Sequence, residues 1–206
     1  MNCDPIARWY RWLEYVGFGS ELERRRRALL PEVAGARRAL VLGEGDGRFL
    51  VRLVEQNRGA SIDYVDLSGR MLDLARRRAG TDSVNYIQGD ALTIYLPPGK
   101  YDLVVTHFFL DCFDEETAAR MVKRVSESAR PRAQWLISEF RQPKSGWQAA
   151  WARIWLTALY LFFRITTGLK TRRLVDHHPL LAKHGFRLKR AESALFGLLA
   201  SELWTR

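Results

Sequence analysis

The segment Gly43-Glu44-Gly45-Asp46-Gly47 alternates glycines with carboxylates and directly follows the apolar run Ala39-Leu40-Val41-Leu42. Few folds admit such a turn. A short buried strand that ends in glycines and opens a helix brings backbone amides, free of side-chain bulk, close to whatever binds there. The helix is read from Arg48 to Gln56, with Phe49, Leu50, Leu53 and Val54 on one face. In an open α/β sheet, ligands bind beyond the carboxyl ends of the strands. The spacing also narrows the ligand. A dinucleotide turn, G-x-G-x-x-G, needs its third glycine where Arg48 stands. Two carboxylates in the turn would repel a pyrophosphate and suit a cation.

The rest of the chain repeats this strand–helix rhythm. Ile62 to Val65 reads as a strand that ends at Asp66, and Ser68 caps a helix carrying Met71, Leu72 and Ala75. Val84 to Ile87 leads to Gly89-Asp90, and Tyr101 to Val105 is a fourth strand. Asp114 caps a helix with Ala118, Met121, Val122 and Val125, and Gln134 to Ile137 is a fifth strand. Before the alternation lie two helices: one opened by Asp4-Pro5 and broken at Gly17 and Gly19, and one with a Ser20/Glu23 capping box, stopped by Pro31. After it come an aromatic-rich helix, Trp147 to Ile165, and a short helix, His178 to His184, with Gly185 as its cap. Phe186 to Ala191 and Leu195 to Trp204 read as a closing hairpin. The 206 residues suffice for one domain and are short for two. The expected fold is α/β: a Rossmann-like, doubly wound, seven-stranded sheet, mostly parallel with one antiparallel strand and helices on both faces. Residues 1–36 would form a helical cap, 37–140 the ligand-binding core, and 141–206 a cap helix and the last strands.

These segments resemble the class I S-adenosylmethionine-dependent methyltransferases. Ala39 to Leu50 is similar to their motif I, Tyr64-Val65-Asp66-Leu67-Ser68 with Met71-Leu72 to motif II, Gln88-Gly89-Asp90-Ala91 to motif III, and Tyr101 to Val105 to motif IV. The pattern is nearest to the small-molecule enzymes of the ubiquinone/menaquinone type. The resemblance implies S-adenosylmethionine as cofactor, with S-adenosylhomocysteine as product. Gly43, Glu44, Gly45, Asp46, Gly47, Asp66, Leu67, Met71, Asp90, Ala91, Leu92 and Thr106 are the implied cofactor contacts. Asp66 would hold the ribose hydroxyls, since a carboxylate accepts two bonds from a vicinal diol. Asp90 would accept from the adenine amino group, with Ala91 or Leu92 packed on the ring. The chain departs from the family pattern at Val41, where many relatives carry an acid, and Glu44 is the neighbouring carboxylate placed to compensate.

The loop after the fourth strand, Thr106 to Phe113, lacks the Asn/Asp-Pro-Pro-aromatic signature of methyltransferases acting on nucleobase amino groups. The expected acceptor is therefore a small, apolar or amphipathic molecule. The alternatives are a non-catalytic binding protein on the same fold and a nucleic-acid methyltransferase. His107 is a candidate general base; its other reading is a loop or cofactor contact. Asp111 is either a second base or a loop cap. No metal is expected, because the neighbours His177 and His178 would point to opposite sides of an extended segment. The net charge of +10 favours anionic surfaces. It comes in part from the Arg24–Arg27 and Arg76–Arg78 runs, read as solvated helix faces. Trp147, Trp151 and Trp155 share one helix stripe, which reads as an active-site cap, a membrane-interface helix or a span. Met1 to Tyr10 shows no secretory signal, and two cysteines, Cys3 and Cys112, form no disulfide framework. The expected location is the cytoplasm, with peripheral contact to an anionic membrane as a further possibility.

Overall fold

The computed structural model describes residues 12, 15, 17–80, 83–143, 146, 154, 157 and 174–206. Seven strands form one sheet: β1 (Arg38–Leu42), β2 (Ser61–Asp66), β3 (Val84–Gln88), β4 (Tyr101–His107), β5 (Ala129–Phe140), β6 (Arg187–Ala194) and β7 (Leu199–Thr205). Their order is β3-β2-β1-β4-β5-β7-β6. The pairs from β3 across to β5 are parallel, and β7 runs antiparallel to both its neighbours. The chain moves outward from β1 to β3, then returns to add β4 on the other side of β1. That reversal opens a crevice above the carboxyl ends of β1 and β4.

Strand alternation decides which helices cover which face. Ala39 and Val41 of β1 point to one side, with Leu103 and Val105 of β4, and are covered by α2 (Arg48–Gln56) and α3 (Gly69–Ala79) through Phe49, Leu50, Leu53, Leu72 and Ala75. Leu40, Leu42 and Val104 point to the other. There Met121, Val122 and Val125 of α4 (Glu115–Ser128) and Leu181 of α5 (His177–Lys183) cover them. Both faces of the central strands are thus dry, which is why they read as unbroken apolar runs. Trp135 is wholly buried at the centre of the second face, and its Nε1 donates to Thr106 Oγ1 at 3.0 Å.

The expected caps at Ser68 and Asp114 form: Ser68 Oγ accepts from Met71 N and Asp114 from Thr117 N. The Ser20 capping box does not. Helix α1 (Glu21–Arg27) begins with no side-chain cap bond at Ser20. Gly17 is helical rather than a breaker, and the turn comes at Gly19, where φ is +58°. Pro31 lies within the 3-10 helix Leu30–Val33, a first-turn position that needs no amide. Strand β5 extends well beyond Gln134–Ile137 because β4 and β7 pair with it on both sides. Residues 195–197, expected to begin the last strand, form a tight turn with Leu195 and Phe196 left-handed. The Arg24–Arg27 run is not wholly solvated either, since Arg26 is 2% exposed and lies over the Phe108 ring. Of the Trp147–Ile165 segment, all but Ile154 and Thr157 lies outside the described residues, as does most of the first predicted helix.

The third glycine of the turn holds α2 and α3 together. Gly47 has φ +82°, and a Cβ there would come within 2.5 Å of the Ala75 Cα on α3. Gly59 shares the left-handed backbone, φ +84°, with open space around it. Gly59→Ala should therefore cost about 1 kcal/mol, the backbone strain alone. Gly47→Ala should cost about 3 kcal/mol or more, because a backbone collision adds to that strain. Urea unfolding of the two variants checks the difference.

Candidate functional site

The carboxyl ends of β1 to β4 converge on the crevice. Gly43 and Gly45 turn there with φ of +60° and +88°, a backbone open only to glycine at low cost. Gly43 N donates to Val65 O at 2.9 Å, which ties the start of the turn to β2. Asp66 ends β2 half-buried, and its Oδ1 accepts from Ser68 N at 2.8 Å. Asp90 follows β3 and is exposed; its Oδ1 accepts from Leu92 N at 2.9 Å. Leu67 is 39% exposed beside Asp66. Ala91 is buried and Leu92 half-buried at the edge of the second core.

The turn carboxylates face inward. Glu44 is 3% exposed; its Oε1 accepts from Phe49 N at 3.3 Å, and its Oε2 lies 3.1 Å from the Tyr64 hydroxyl. Burial pushes its pKa up to about 7; the Asp46 charge adds to the rise and the Arg26 guanidinium opposes it. Asp46 is gripped by two guanidinium groups, Arg48 Nε at 2.9 Å and Arg78 Nη1 at 2.5 Å. Burial would raise its pKa, but the two arginines outweigh it and hold the carboxyl below its ordinary range. Both carboxyls are thus engaged from the inner side of the turn. Glu44 supports the N-terminus of α2 from beneath, and Asp46 is neutralised. Asp66 and Asp90, at the carboxyl ends of β2 and β3, are half-buried and exposed. Met71 and Thr106 are buried in the core, 1% and 0% exposed.

His107, the candidate base, lies in the core. It is 1% exposed, its ring stands edge-on to Phe49 at 4.5 Å, and neither ring nitrogen has a hydrogen-bond partner among the described residues. Burial and the Arg26 charge push its pKa well below the usual range, so it is neutral. Asp111 is half-buried in the 3-10 helix Leu110–Cys112, and burial raises its pKa to about 6. Beside it stands an acid that sequence reading missed. Glu139, 2% exposed at the end of β5, accepts from Leu110 N at 2.8 Å and from Phe109 N at 3.1 Å. Burial and the facing Asp111 charge push its pKa well above the usual range. The signal was available: Glu139 is an acid inside the otherwise uncharged end of a strand buried on both faces.

His177 and His178 do not diverge, because they open a helix rather than an extended segment. Their Nε2 atoms lie 2.9 and 3.0 Å from the two oxygens of Glu202. The three ligand atoms are close enough to share a metal ion. Glu202 is also taken by Arg141 and by Trp204 Nε1, the latter at 2.8 Å. Burial would raise the Glu202 pKa; the rings and the guanidinium bring it down to about 2.

Residues 39–132 match the family of the methyltransferase domain. That stretch is just under half of the chain, and over it the chain is similar to a methyltransferase domain. A demethylmenaquinone methyltransferase from Thermus thermophilus is 33% identical to it over 135 residues, 64% of this chain and 60% of the relative. The chain thus spans less than two thirds of that relative's length. An S-adenosylmethionine-dependent methyltransferase from Mesorhizobium loti superposes with a TM-score of 0.66 at 23% identity, covering 92% of this chain and 98% of that one. An N-methyltransferase from Bradyrhizobium japonicum, solved in complex with S-adenosyl-L-homocysteine, gives 0.66 at 13% identity, covering 91% and 86%. At these identities the two structures speak for the fold of the methyltransferase domain.

Glu44 links the turn to pH. Its folded value of about 7 exceeds its ordinary 4.5, so the folded domain holds a proton that the unfolded chain releases. The stability this contributes is present below pH 4.5 and is lost as pH rises through about 7. Glu44→Gln should remove roughly 3 kcal/mol of that pH dependence. Urea titrations at a series of pH values, wild type against variant, check it.

Proposed function

We propose that the protein transfers a methyl group from S-adenosylmethionine to a small, apolar or amphipathic molecule. The observation that carries this reading is the set of groups around the crevice. A side-chain-free glycine turn closes one wall, and Asp66 and Asp90 stand at the carboxyl ends of β2 and β3. These positions fit the cofactor. Asp66 would take the ribose hydroxyls, Asp90 the adenine amino group, and the turn the methionine portion, with Leu67, Ala91 and Leu92 along the adenine. Bound there, the cofactor supplies an electrophilic methyl on a sulfonium. The protein's own work is to position the acceptor in line and keep water out, which can supply most of the rate in such a displacement. His107 would act as packing behind the site rather than as a base, and Asp111 is the ionisable group left beside it. A quinol-like acceptor is favoured by the demethylmenaquinone methyltransferase relative. Calorimetry should find micromolar binding of S-adenosylmethionine and S-adenosylhomocysteine, weakened at least tenfold by Asp66→Ala and by Asp90→Ala. A folded wild type that binds neither overturns the reading.

A second proposal concerns where the acceptor comes from. Trp12, Tyr15, Ile154 and Phe196 are 58–72% exposed, and the net charge is +10. No helix among the described residues is long and apolar enough to cross a membrane. Exposed aromatic and apolar side chains on a basic protein suit contact with an anionic lipid surface. The protein should float with anionic vesicles at low salt and stay behind with neutral ones. Full recovery in the soluble fraction with both would remove the idea.

A further inference from the structure

The loop between β4 and α4 is held from one side. Phe108 is left-handed, φ +52°, and its amide donates to Ser138 O at 2.7 Å. The next two amides, Phe109 and Leu110, both donate to Glu139 Oε1, at 3.1 and 2.8 Å. A single buried carboxyl oxygen therefore takes two successive backbone donors, in the geometry an anion or acid makes with a turn. The Asp111 carboxyl and amide also face this acid, so Glu139 and Asp111 form one buried pair at the foot of the loop. A buried acid is tolerated only when such donors compensate it.

What Glu139 fixes is the next residue's ring. A Cβ on Gly43 would meet Phe109 Cδ2 at 2.3 Å and Cε2 at 2.8 Å, and the three nearest atoms to that point all belong to Phe109. The Phe109 ring thus lies directly against the first glycine of the turn. The absence of a side chain at residue 43 and the docking of the loop on Glu139 are two halves of one contact. Asp111, facing Glu139, is carried by the same loop.

We propose that Glu139 is a positioning residue for the methyl-transfer site. Through the Phe109 and Leu110 amides it docks the loop so that the Phe109 ring forms the wall of the cofactor crevice against Gly43. Glu139 touches neither cofactor nor acceptor; it acts through the loop. The proposal rests on the methyltransferase reading for its ligand, but the docking itself can be read without one.

Amide hydrogen exchange and S-adenosylhomocysteine calorimetry on the full chain test it. Glu139→Ala should speed exchange at Phe109 and Leu110 at least tenfold over other core amides and weaken S-adenosylhomocysteine at least tenfold. Glu139→Gln keeps an acceptor oxygen for both amides and should stay within threefold of wild type in both measurements, a rescue that a general loss of stability would not give. Phe109→Ala should leave Leu110 protected yet weaken the ligand at least tenfold, and it does not depend on the Glu139 variants folding. Unchanged exchange in Glu139→Ala, failure of Glu139→Gln to rescue, or wild-type or tighter binding by Phe109→Ala overturns the proposal. A wild type that binds no S-adenosylhomocysteine while Glu139→Ala still frees the two amides would instead count against the methyltransferase reading alone.

Discussion

The close approach of other elements to the side-chain-free backbone of the glycine turn is the constraint on which the rest of the domain depends. Gly43, Gly45 and Gly47 all take positive φ, and two of them face another element at a distance no side chain could tolerate. Gly47 lets α3 lie against the start of α2, and Gly43 lets Phe109 lie against the end of β1. Between them they set the spacing of β1, its two flanking helices and the loop from β4. Glu44 and Asp46 complete the turn from inside. One accepts an α2 amide and meets a buried tyrosine; the other ties the turn to Arg48 and to Arg78 on α3. A turn built to carry a ligand on its outer side is thereby made rigid from its inner side.

Most of the fold was readable because its signals are local. A parallel strand buried on both faces must be a short apolar run, and a helix that covers it must show apolar residues at helical spacing. The segments from Ala39 to Ile137 obey both rules, and the sheet has the predicted strand number with one antiparallel strand. The failures have different causes. Ser20 had the right neighbours for a cap, but the chain enters α1 from the turn at Gly19 and its side chain makes no cap bond. The Arg24–Arg27 run looked like a solvated face, yet Arg26 is buried over the Phe108 ring, a residue far away in sequence that no local pattern carries.

The site was legible to a different degree. The positions of Asp66 and Asp90, at the end of β2 and just after β3, follow from strand ends and could be read from the chain. The direction in which a side chain points could not. Glu44, Asp46, Met71 and Thr106 sit where the pattern puts them, but each turns toward the interior. His107 drew notice as a histidine in the right loop, while Glu139, an acid inside a strand, did not. In a strand buried on both faces, an acid at any position is an exception, and Glu139 is the more informative of the two.

The Glu202 cluster has a consequence for how the domain is closed. Arg141 lies where the chain leaves β5, and His177 and His178 lie where it returns at α5. One carboxylate on β7 thus grips both feet of the intervening thirty-odd residues. Both feet are stapled to the antiparallel strand, three places along the sheet from β1 and its glycine turn. Load on either foot therefore falls on β7 before it can reach the turn.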